Sequence, residues 1–544
     1  MRARLLVVVC ALATFARALP YPLQRSWDDG RFLIDNPDAA RVSLKALWSF
    51  FSQVHFEAYH PLHLLSYWID VPWAGPSPLV LHAVSLGLWV AALLCVHALL
   101  RELGLSASAA VLGTLACGLH PAQVEAVAWA TGRKDVLALL FAAASLLWHV
   151  RARSTWDRAA WCARALFVAA ALAKTTSLAL PLFACVLDLA VLRLRPREAL
   201  ARLLPTAALA GALGAVVVTT WQQSSMLRTT LGGFELAPVR VCATYAAQLV
   251  TACWPAKNSP MYAANDVATC TTSALLVVSA FLIAIWIAWR SAARRVFAGL
   301  VGFAMLMLPV SNLIPMYFPL QDRYLSLPLL PLSLAVAAAC DRHARAGATR
   351  WLLAVAVIAL AVRTFQYEGE WQSETRLWGH AASTQPRAEY AWLKLGEVRR
   401  DAGDIEGAIA ADRQLVRLMP TRKLAYAALF EATALRDERV FALAPGRARE
   451  FARQAYVSLS DPAALRALGA ALLAAGYLRS LELPLALALA QDPLPDPLLE
   501  RLAIEQLQQG RPSVARFYAD QRHAATSDPR LRELQSQPSY RVLP

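Results

Sequence analysis

The sequence has few charged residues, few lysines and no paired-cysteine motif. Only 17% of its 544 residues are charged, 58% are hydrophobic, and six of its 53 basic residues are lysines. Its mean hydropathy is +0.42. This composition excludes a soluble protein of this size and predicts several membrane spans. The nine cysteines contain no CxxC pair, and most lie in or beside apolar stretches. We therefore expect neither a metal site nor a disulfide framework, with Cys253 and Cys270 as the one pair able to form a bond.

Apolar stretches long enough to cross a bilayer recur throughout residues 1–366. The pattern predicts about eleven spans, near residues 5–19, 79–100, 107–120, 136–150, 160–173, 176–192, 203–220, 272–289, 296–310, 324–340 and 351–366. The stretch 237–256 is also apolar, but a full crossing there would place the following arginine-rich loop on the wrong side. We expect it to be re-entrant or interfacial. The first stretch also resembles a signal peptide, so its cleavage is left open.

Arginines are concentrated in alternate loops between the predicted spans. They are Arg2, Arg4, Arg101, Arg151, Arg153, Arg158, Arg193, Arg195, Arg197, Arg202, Arg290, Arg294, Arg295, Arg342, Arg345 and Arg350. Loops rich in arginine stay in the cytoplasm. This rule predicts a cytoplasmic N-terminus and an extracytoplasmic C-terminal domain. It also explains the net charge of +15 without a nucleic-acid partner.

Beyond residue 366 the pattern changes to that of paired soluble helices. A 34-residue register predicts a tetratricopeptide α-solenoid, with a linker helix at 367–388, repeats at 389–422, 423–461 (irregular), 462–495 and 496–529, and a tail at 530–544. The consensus positions are Trp392, Leu395, Gly396, Gly403, Ala408 and Pro420; Tyr426 and Leu429; Leu465, Leu468, Gly469, Gly476, Ala488 and Pro493; and Leu499, Leu502, Ala503, Gly510 and Ala515. The predicted fold class is therefore all-α, with a polytopic membrane domain followed by a helical repeat domain.

Polar residues that interrupt the membrane domain fall on its predicted extracytoplasmic side. They are Asp28, Asp29, His120, Glu125, Arg133, Lys134, Asp135, Lys174, Lys257, Tyr262, Asp322 and Arg323. A carboxylate at the membrane surface can accept a proton from a hydroxyl, and Arg or Lys can bind a phosphate. Two simpler interpretations stay open: Asp28 and Asp29 belong to a solvated turn, and the lysines extend to the interface. His120 and Glu125 are too few ligands for catalytic zinc.

Several segments, in order, resemble those of the transmembrane and tetratricopeptide-repeat O-mannosyltransferases and their bacterial relatives, which are glycosyltransferases of the GT-C class. They are W-D-D-G-R-F-L-I-D-N-P (27–37), Y-H-P-L-H-L-L-S-Y (59–67), L-H-P-A-Q-V-E-A-V-A-W-A-T-G-R-K-D (119–135), A-L-A-K-T-T-S-L-A-L-P-L (171–182), P-V-S-N-L-I-P (309–315), D-R-Y-L-S-L-P (322–328) and E-W-Q-S-E-T-R-L-W (370–378). The chain departs from the family at Thr175 and Asp322, where glutamate is usual.

The resemblance implies transfer of a sugar, such as mannose, from a polyprenyl-phosphate donor to a hydroxyl of an extracytoplasmic acceptor, with inversion of configuration. It implies Asp28 or Asp29 as general base and Lys174 and Arg323 near the donor phosphate. It places Arg133, His120, Glu125, Asp135 and Asp322 in the same cavity. No cofactor is required, because fixed cations can bear the phosphate charge. The expected partners are the lipid-linked donor, membrane lipid and an acceptor protein or glycan, with no nucleic acid, and a bacterial inner membrane is the expected location.

Two alternative functions remain at this point. A lipid-linked saccharide transporter or ligase would also need a basic outer cavity, although no twofold internal repeat is visible among the spans. An inactive scaffold would use the membrane half to anchor the repeats, which commonly present a groove to a protein partner.

Overall fold

The structure, a computed structural model, describes most of the first 440 residues and parts of the remainder. The described residues are 1–55, 59–222, 237–255, 257–313, 316–342, 347–419, 422–440, 450, 454, 468, 496–508, 515–516, 519–520, 526 and 528–536. They divide into two compact units, Met1–Ala391 and Trp392–Pro544. Of the predicted repeats, 462–495 lies outside the described residues except for Leu468, and the repeats on either side of it are described in part.

The described part of the chain is helical and contains no β-strand, which confirms the all-α class. The helices of the first unit are α1 (Arg2–Phe15), α2 (Pro37–Ala40), α3 (Leu44–Ser52), α4 (Pro61–Ser66), α5 (Val71–Ala74), α6 (Pro78–Glu102), α7 (Ala107–Gly118), α8 (Val124–Val127), α9 (Arg133–Arg151), α10 (Arg158–Ala173), α11 (Leu180–Val186), α12 (Pro196–Gln222), α13 (Ala237–Cys253), α14 (Thr272–Arg290), α15 (Arg294–Met307), α16 (Leu329–Arg342), α17 (Gly347–Glu368) and α18 (Glu374–Thr384). Helix α19 (Glu389–Asp401) crosses the boundary between the units. The second unit continues with α20 (Ile405–Leu418), α21 (Lys423–Val440), α22 (Asp496–Gln508) and α23 (Pro529–Ser536).

Short 3₁₀ and π turns connect many of these helices. The 3₁₀ turns are Ala16–Ala18, Tyr67–Ile69, Pro121–Gln123, Ala130–Gly132, Thr175–Ala179, Ala264–Val267, Leu308–Val310, Asp322–Leu325 and Gly369–Gln372. The π turns are Gly30–Ile34 and Leu187–Val191. The turn Asp322–Leu325 carries Asp322 and Arg323, and other turns directly adjoin Asp29, His120, Arg133 and Lys174.

Among the described residues, four helices are long and apolar enough to cross a membrane, which indicates a membrane protein. They are Pro78–Glu102, Pro196–Thr220, Thr272–Arg290 and Trp351–Gln372, and two shorter apolar helices cover Ala107–Gly118 and Thr175–Val191. Helices lie on each of the predicted stretches, but the count of eleven crossings and the orientation stay predictions. The stretch 237–256 forms α13, and its depth in the membrane also stays a prediction.

Helices α9 and α10 form a hairpin that packs beside α6, while α16 packs between α7 and α15. A 19-residue helix such as α9 is about 28 Å long. The hairpin therefore has two well-separated ends, one with Arg133 and Lys174 and the other with Arg151 and Arg158.

One disulfide differs from the expected pairing. Cys270 is joined to Cys242, with Cα atoms 6.1 Å apart, whereas Cys253 is a free, exposed thiol. The pairing of Cys253 with Cys270 is therefore wrong. Cys253 ends α13, eleven residues beyond Cys242, and at 1.5 Å per residue the two positions are about 16 Å apart. Only the start of the helix lies beside Cys270.

In the second unit, α19 and α20 are joined by a turn at Gly403, whose φ of +81° suits glycine. The predicted consensus residues Trp392 and Ala408 lie in hydrophobic clusters of this unit, with Leu415 and Leu429. A Cβ atom at Gly396 would lie 2.1 Å from Oδ1 of the buried Asp412. These helix pairs have the form expected of the first repeat, and the complete solenoid stays a prediction.

Candidate functional site at the ends of helices α9 and α10

Asp29 is fully buried and is held by hydrogen bonds from two loops. Its Oδ2 accepts from the backbone N of Gln24 at 2.8 Å, and its Oδ1 accepts from the backbone N and hydroxyl of Thr131 at 3.0 and 2.5 Å. Burial raises the pKa of this carboxyl to about 6, although the hydrogen bonds oppose the shift. Asp29 therefore joins the loop after α1 to the loop before α9.

Asp28, its neighbour, is in a different environment. It is half-buried, and its side chain makes no hydrogen bond or ion pair with any residue that the structure describes. It lies within electrostatic range of Lys134 and Arg323. Of the two predicted general-base candidates, Asp28 is thus the accessible one.

Arg323 and Glu125 form a buried ion pair between segments 198 residues apart. An Arg323 Nη1 donates to Glu125 Oε1, and the Arg323 backbone N donates to Oε2 at 3.0 Å. The side chain of Glu125 is 0% exposed and that of Arg323 is 10% exposed. The predicted cavity residues Glu125 and Arg323 are therefore in direct contact, with the cation nearer to solvent.

The adjacent Asp322 has separate partners. Its carboxylate accepts hydrogen bonds from Tyr262 Oη at 2.6 Å and from Asn258 Nδ2 at 3.1 Å. Burial raises its pKa to about 7. Asp322 thus anchors the segment around residue 260 beside Arg323, which places the predicted polar residue Tyr262 at the same location.

Lys174 caps the carboxyl end of α10 and pairs with Asp135 in the first turn of α9. Both side chains are at least nine-tenths buried. A small pocket is lined by Lys174, Asp135, Arg323 and Tyr324, together with Thr176. Asp135 is the carboxylate partner of Lys174, and position 175 is a threonine.

Arg133 is fully buried and directs its hydrogen bonds to protein atoms. It donates to Asp70 Oδ2 at 2.5 Å, to the carbonyl oxygens of Leu81 and Ser66 at 3.0 and 3.3 Å, and to Ser85 Oγ at 3.1 Å. A donor phosphate could reach it only by displacing these acceptors. The predicted phosphate contact has no support in this geometry, which favours a positioning role.

The turn before Arg133 depends on a glycine. A Cβ atom at Gly132 would lie 2.6 Å from the carbonyl oxygens of Glu125 and Ala126. The backbone can therefore fold back onto α8 only with no side chain at this position, and this close approach fixes the path from Glu125 to Asp135.

His120 also serves the local structure. Its Nδ1 accepts a hydrogen bond from the backbone N of Ala122 at 3.1 Å, and its Nε2 lies 3.2 Å from the carbonyl oxygen of Ala252. Within the described residues no group of three or more His, Cys, Asp or Glu side chains is arranged to hold a metal ion.

An aromatic cluster packs against Arg323 and Lys134, and sequence reasoning did not anticipate it. Trp27 stacks on Trp378 with ring centroids 4.8 Å apart, and Trp129 meets the edge of Trp27 at 5.4 Å. The Arg323 guanidinium carbon is 5.1 Å from the Trp129 ring centre, and Lys134 Nζ is 4.9 Å from it. Lys134 was noted as a polar interruption but was not assigned to the site. The only sequence signal for Trp27, Trp129 and Trp378 is that they lie in the segments 27–37, 119–135 and 370–378 described above.

The predicted residues therefore fall into two groups. Asp28, Lys174 and Arg323 are partly accessible, with Asp135 and Glu125 as ion-pair partners of the two cations. Asp29, Arg133, His120 and Asp322 are bound within the surrounding structure. No protein-family model, curated protein or solved structure matches this chain.

Proposed function

We propose that this protein is an integral-membrane glycosyltransferase that moves a sugar from a polyprenyl-phosphate donor to an acceptor hydroxyl. The observation that carries the proposal is the Asp28 carboxylate, which has no hydrogen-bond or ion-pair partner among the described residues and lies within electrostatic range of Arg323. Arg323 and Lys174 both line a small pocket. This reaction needs a base and cations that bind phosphate, placed together on one side of an apolar helical unit.

In this mechanism Asp28 takes the proton of the acceptor hydroxyl. The hydroxyl oxygen attacks the anomeric carbon while the bond from that carbon to the phosphate oxygen breaks. Attack from the side opposite the phosphate inverts the configuration, and polyprenyl phosphate leaves with the bonding electrons.

Lys174 and Arg323 stabilise the charge that develops on the phosphate. Each keeps a carboxylate partner, Asp135 or Glu125, whose attraction offsets part of the desolvation cost of the buried cation and holds it in place. An ammonium has three N–H donors and a guanidinium has five, so both retain donors for phosphate oxygens. Because fixed positive charges serve this purpose, the scheme needs no metal ion.

The aromatic rings support the cations from within the structure. Trp27 and Trp129 are 9% and 0% exposed, and the Arg323 guanidinium carbon lies 5.1 Å from the Trp129 ring centre. We propose that this contact holds Arg323 in position beside the donor phosphate.

The arginine distribution supports an extracytoplasmic site, with the N-terminus in the cytoplasm. We propose that the second unit continues as tetratricopeptide repeats and presents the acceptor, which is a protein or glycan. A bacterial inner membrane remains the proposed location, and the polytopic count of about eleven spans belongs to the same proposal.

Exchange of Asp28 for Asn tests the proposal. Membranes that contain the full chain are given radiolabelled polyprenyl-phosphate mannose and a hydroxyl acceptor, and labelled product is counted. We expect Asp28→Asn to lower transfer about 100-fold or more, since general-base catalysis contributes that much. The control is Asp35→Asn in the same loop, where the carboxylate is 59% exposed and pairs only with Arg25. Undiminished transfer by Asp28→Asn would rule out the base role.

A further inference from the structure

A second pocket lies at the other end of the α9–α10 hairpin, between α9, α10, α11 and α12. It is lined mainly by apolar and small side chains and contains four polar ones that matter here: His149, Arg164, Asp188 and Arg202. His149 is fourteen residues from Asp135 on α9, or about 21 Å along the helix axis. This pocket is therefore separate from the site around Asp28.

Arg164 is buried in this pocket with hydrogen-bonding capacity unused. The residue is 5% exposed. Its Nη2 donates to the carbonyl oxygen of Thr155 at 2.5 Å, and its guanidinium carbon lies 4.7 and 5.2 Å from the ring centres of Trp156 and Trp161. Its Nε and Nη1 are buried and have no acceptor within the described residues. A buried guanidinium with two unmet donors indicates an absent acceptor, because such donors are costly to leave unpaired.

The charge of the pocket favours an anion. Asp188 Oδ1 is already bound by His149 Nε2 at 3.0 Å and by Arg202 Nη1 at 3.4 Å. Arg202 also donates to the carbonyl oxygen of Ala152 at 2.7 Å. Among the lining residues, the two guanidinium groups of Arg164 and Arg202 outnumber the one carboxylate, that of Asp188. Asp157 lies outside the lining, within electrostatic range of both cations. Nε and Nη1 of Arg164 each keep an N–H that a phosphate oxygen could accept.

The surroundings favour a phosphate that belongs to a lipid. Trp148, Trp156 and Trp161 are 38%, 62% and 56% exposed around the pocket, and exposed tryptophans of this kind mark the level of lipid headgroups. Phe167 and Leu180 give the pocket an apolar wall that suits the glycerol and upper acyl region of a lipid. Basic pockets between membrane helices bind acidic headgroups.

We propose that this pocket binds the phosphate of an acidic phospholipid, with Arg164 as the principal ligand and Arg202 as the second cation. The site is distinct from the proposed sugar-transfer site and does not depend on it. Its occupant would brace the ends of α9 and α10 by satisfying the buried donors of Arg164.

The test measures lipid retention by the full chain, so it is independent of any transfer activity. Protein is reconstituted with equal amounts of phosphatidylglycerol and phosphatidylcholine, extracted in mild detergent, and its retained lipids are quantified by native mass spectrometry. We expect the wild type to retain phosphatidylglycerol preferentially. Arg164→Gln should lower that preference about tenfold, as expected for loss of a charge-assisted hydrogen-bonded pair.

Arg158→Gln is the matched control, because Arg158 lies on the same helix with an exposed side chain. It should retain the wild-type preference. Arg164→Lys keeps the positive charge but loses the planar set of guanidinium N–H donors. It should retain an intermediate preference for phosphatidylglycerol. If Arg164→Gln fails to fold, the wild-type preference and Arg202→Gln still decide the question.

Three results would overturn the proposal. Equal retention of the two lipids by the wild type would show that the pocket does not select an acidic headgroup. An unchanged preference in a folded Arg164→Gln protein would place the lipid elsewhere. Displacement of phosphatidylglycerol by millimolar inorganic phosphate would assign the pocket to a soluble anion instead.

Discussion

Thr131 donates two hydrogen bonds to the carboxylate of Asp29, one from its backbone N and one from its hydroxyl. This contact joins two residues that are 102 positions apart in the sequence. It fixes the loop that carries Asp28 against the loop that carries Lys134, so Asp29 acts on the site through its neighbours.

The contribution of Asp29 to the free energy of unfolding should fall as pH rises, which is the opposite of the usual behaviour of an aspartate. Its pKa is raised from 3.8 to about 6 by burial, so the folded state binds the proton more tightly than the unfolded state does. This contribution is fully present below pH 4 and is lost as pH rises to 6, by about 3 kcal/mol.

The measurement compares the wild type with Asp29→Asn in thermal unfolding, followed by tryptophan fluorescence in detergent at several pH values. The variant has no such titration. The wild-type stability minus that of the variant should therefore fall between pH 4 and pH 6 and stay constant above it. A difference that rises with pH would contradict the assignment.

The Arg133–Asp70 pair should be essential to the fold of this region. Both side chains are at most 1% exposed, so Arg133→Gln leaves Asp70 as an uncompensated buried charge. We expect a loss of about 3–5 kcal/mol in the free energy of unfolding, measured by denaturant titration in detergent. The double variant with Asp70→Asn should recover part of this loss.

The exposed pair Arg25–Asp35 serves as the control. Its side chains are 65% and 59% exposed, and Arg25→Gln should change the unfolding free energy by less than about 1 kcal/mol. Equal losses of unfolding free energy in Arg133→Gln and Arg25→Gln would show that the buried pair contributes no more to stability than the exposed pair does.

Arg323 has two proposed roles, which can be separated. Arg323→Gln leaves Glu125 buried without its cation, and this alone should destabilise the protein by about 3–5 kcal/mol. Combination with Glu125→Gln removes the unpaired charge and should restore most of the stability.

Transfer by the double variant decides the phosphate role. We expect it to stay at least about tenfold below wild type, because the charge that stabilises the leaving phosphate is still missing. Radiolabelled-donor assays at pH 7 would check this. Full recovery of transfer along with stability would mean that Arg323 serves only to balance Glu125.

The second unit should be sensitive to a side chain at position 396. Asp412 is fully buried and pairs with Arg400 at 2.6 Å, so it cannot move away from a Cβ atom placed 2.1 Å from its oxygen. We expect Gly396→Ala to destabilise the unit by about 1–3 kcal/mol and to speed limited proteolysis after residue 391 of the full chain. Gly379→Ala, with no atom within 4 Å of its Cβ, should leave the digestion pattern unchanged.

The helices of the first unit were predictable because apolar runs of the right length leave few alternatives to a helix. The start of α9 shows where this reasoning stops. Its apolar run begins at residue 136, but the helix begins at Arg133, because Asp70 and the carbonyl oxygens of Ser66 and Leu81 satisfy the buried guanidinium. Those partners come from other parts of the chain, so the hydrophobic pattern around residue 133 does not reveal them.

The identities of many polar residues at the site could be anticipated, but their pairing could not. Glu125 meets Arg323 because α8 packs beside the turn Asp322–Leu325, and Lys174 meets Asp135 because the end of α10 lies beside the start of α9. The same limit explains why Asp28 and Asp29 looked equivalent: a difference in burial between adjacent residues depends on Thr131, far along the chain.

The segment after α17 has a consequence for how the protein can be shortened. Trp378 Nε1 donates to Ser26 Oγ at 2.9 Å, Glu374 accepts from the Ser26 backbone N at 2.5 Å, and the Trp371 carbonyl oxygen accepts from Gln24. A chain cut at residue 366, where the apolar pattern stops, would retain every predicted span. It would lose the three hydrogen bonds that hold the loop carrying Asp28. The smallest autonomous piece of this molecule therefore extends past its last hydrophobic run, through at least Trp378.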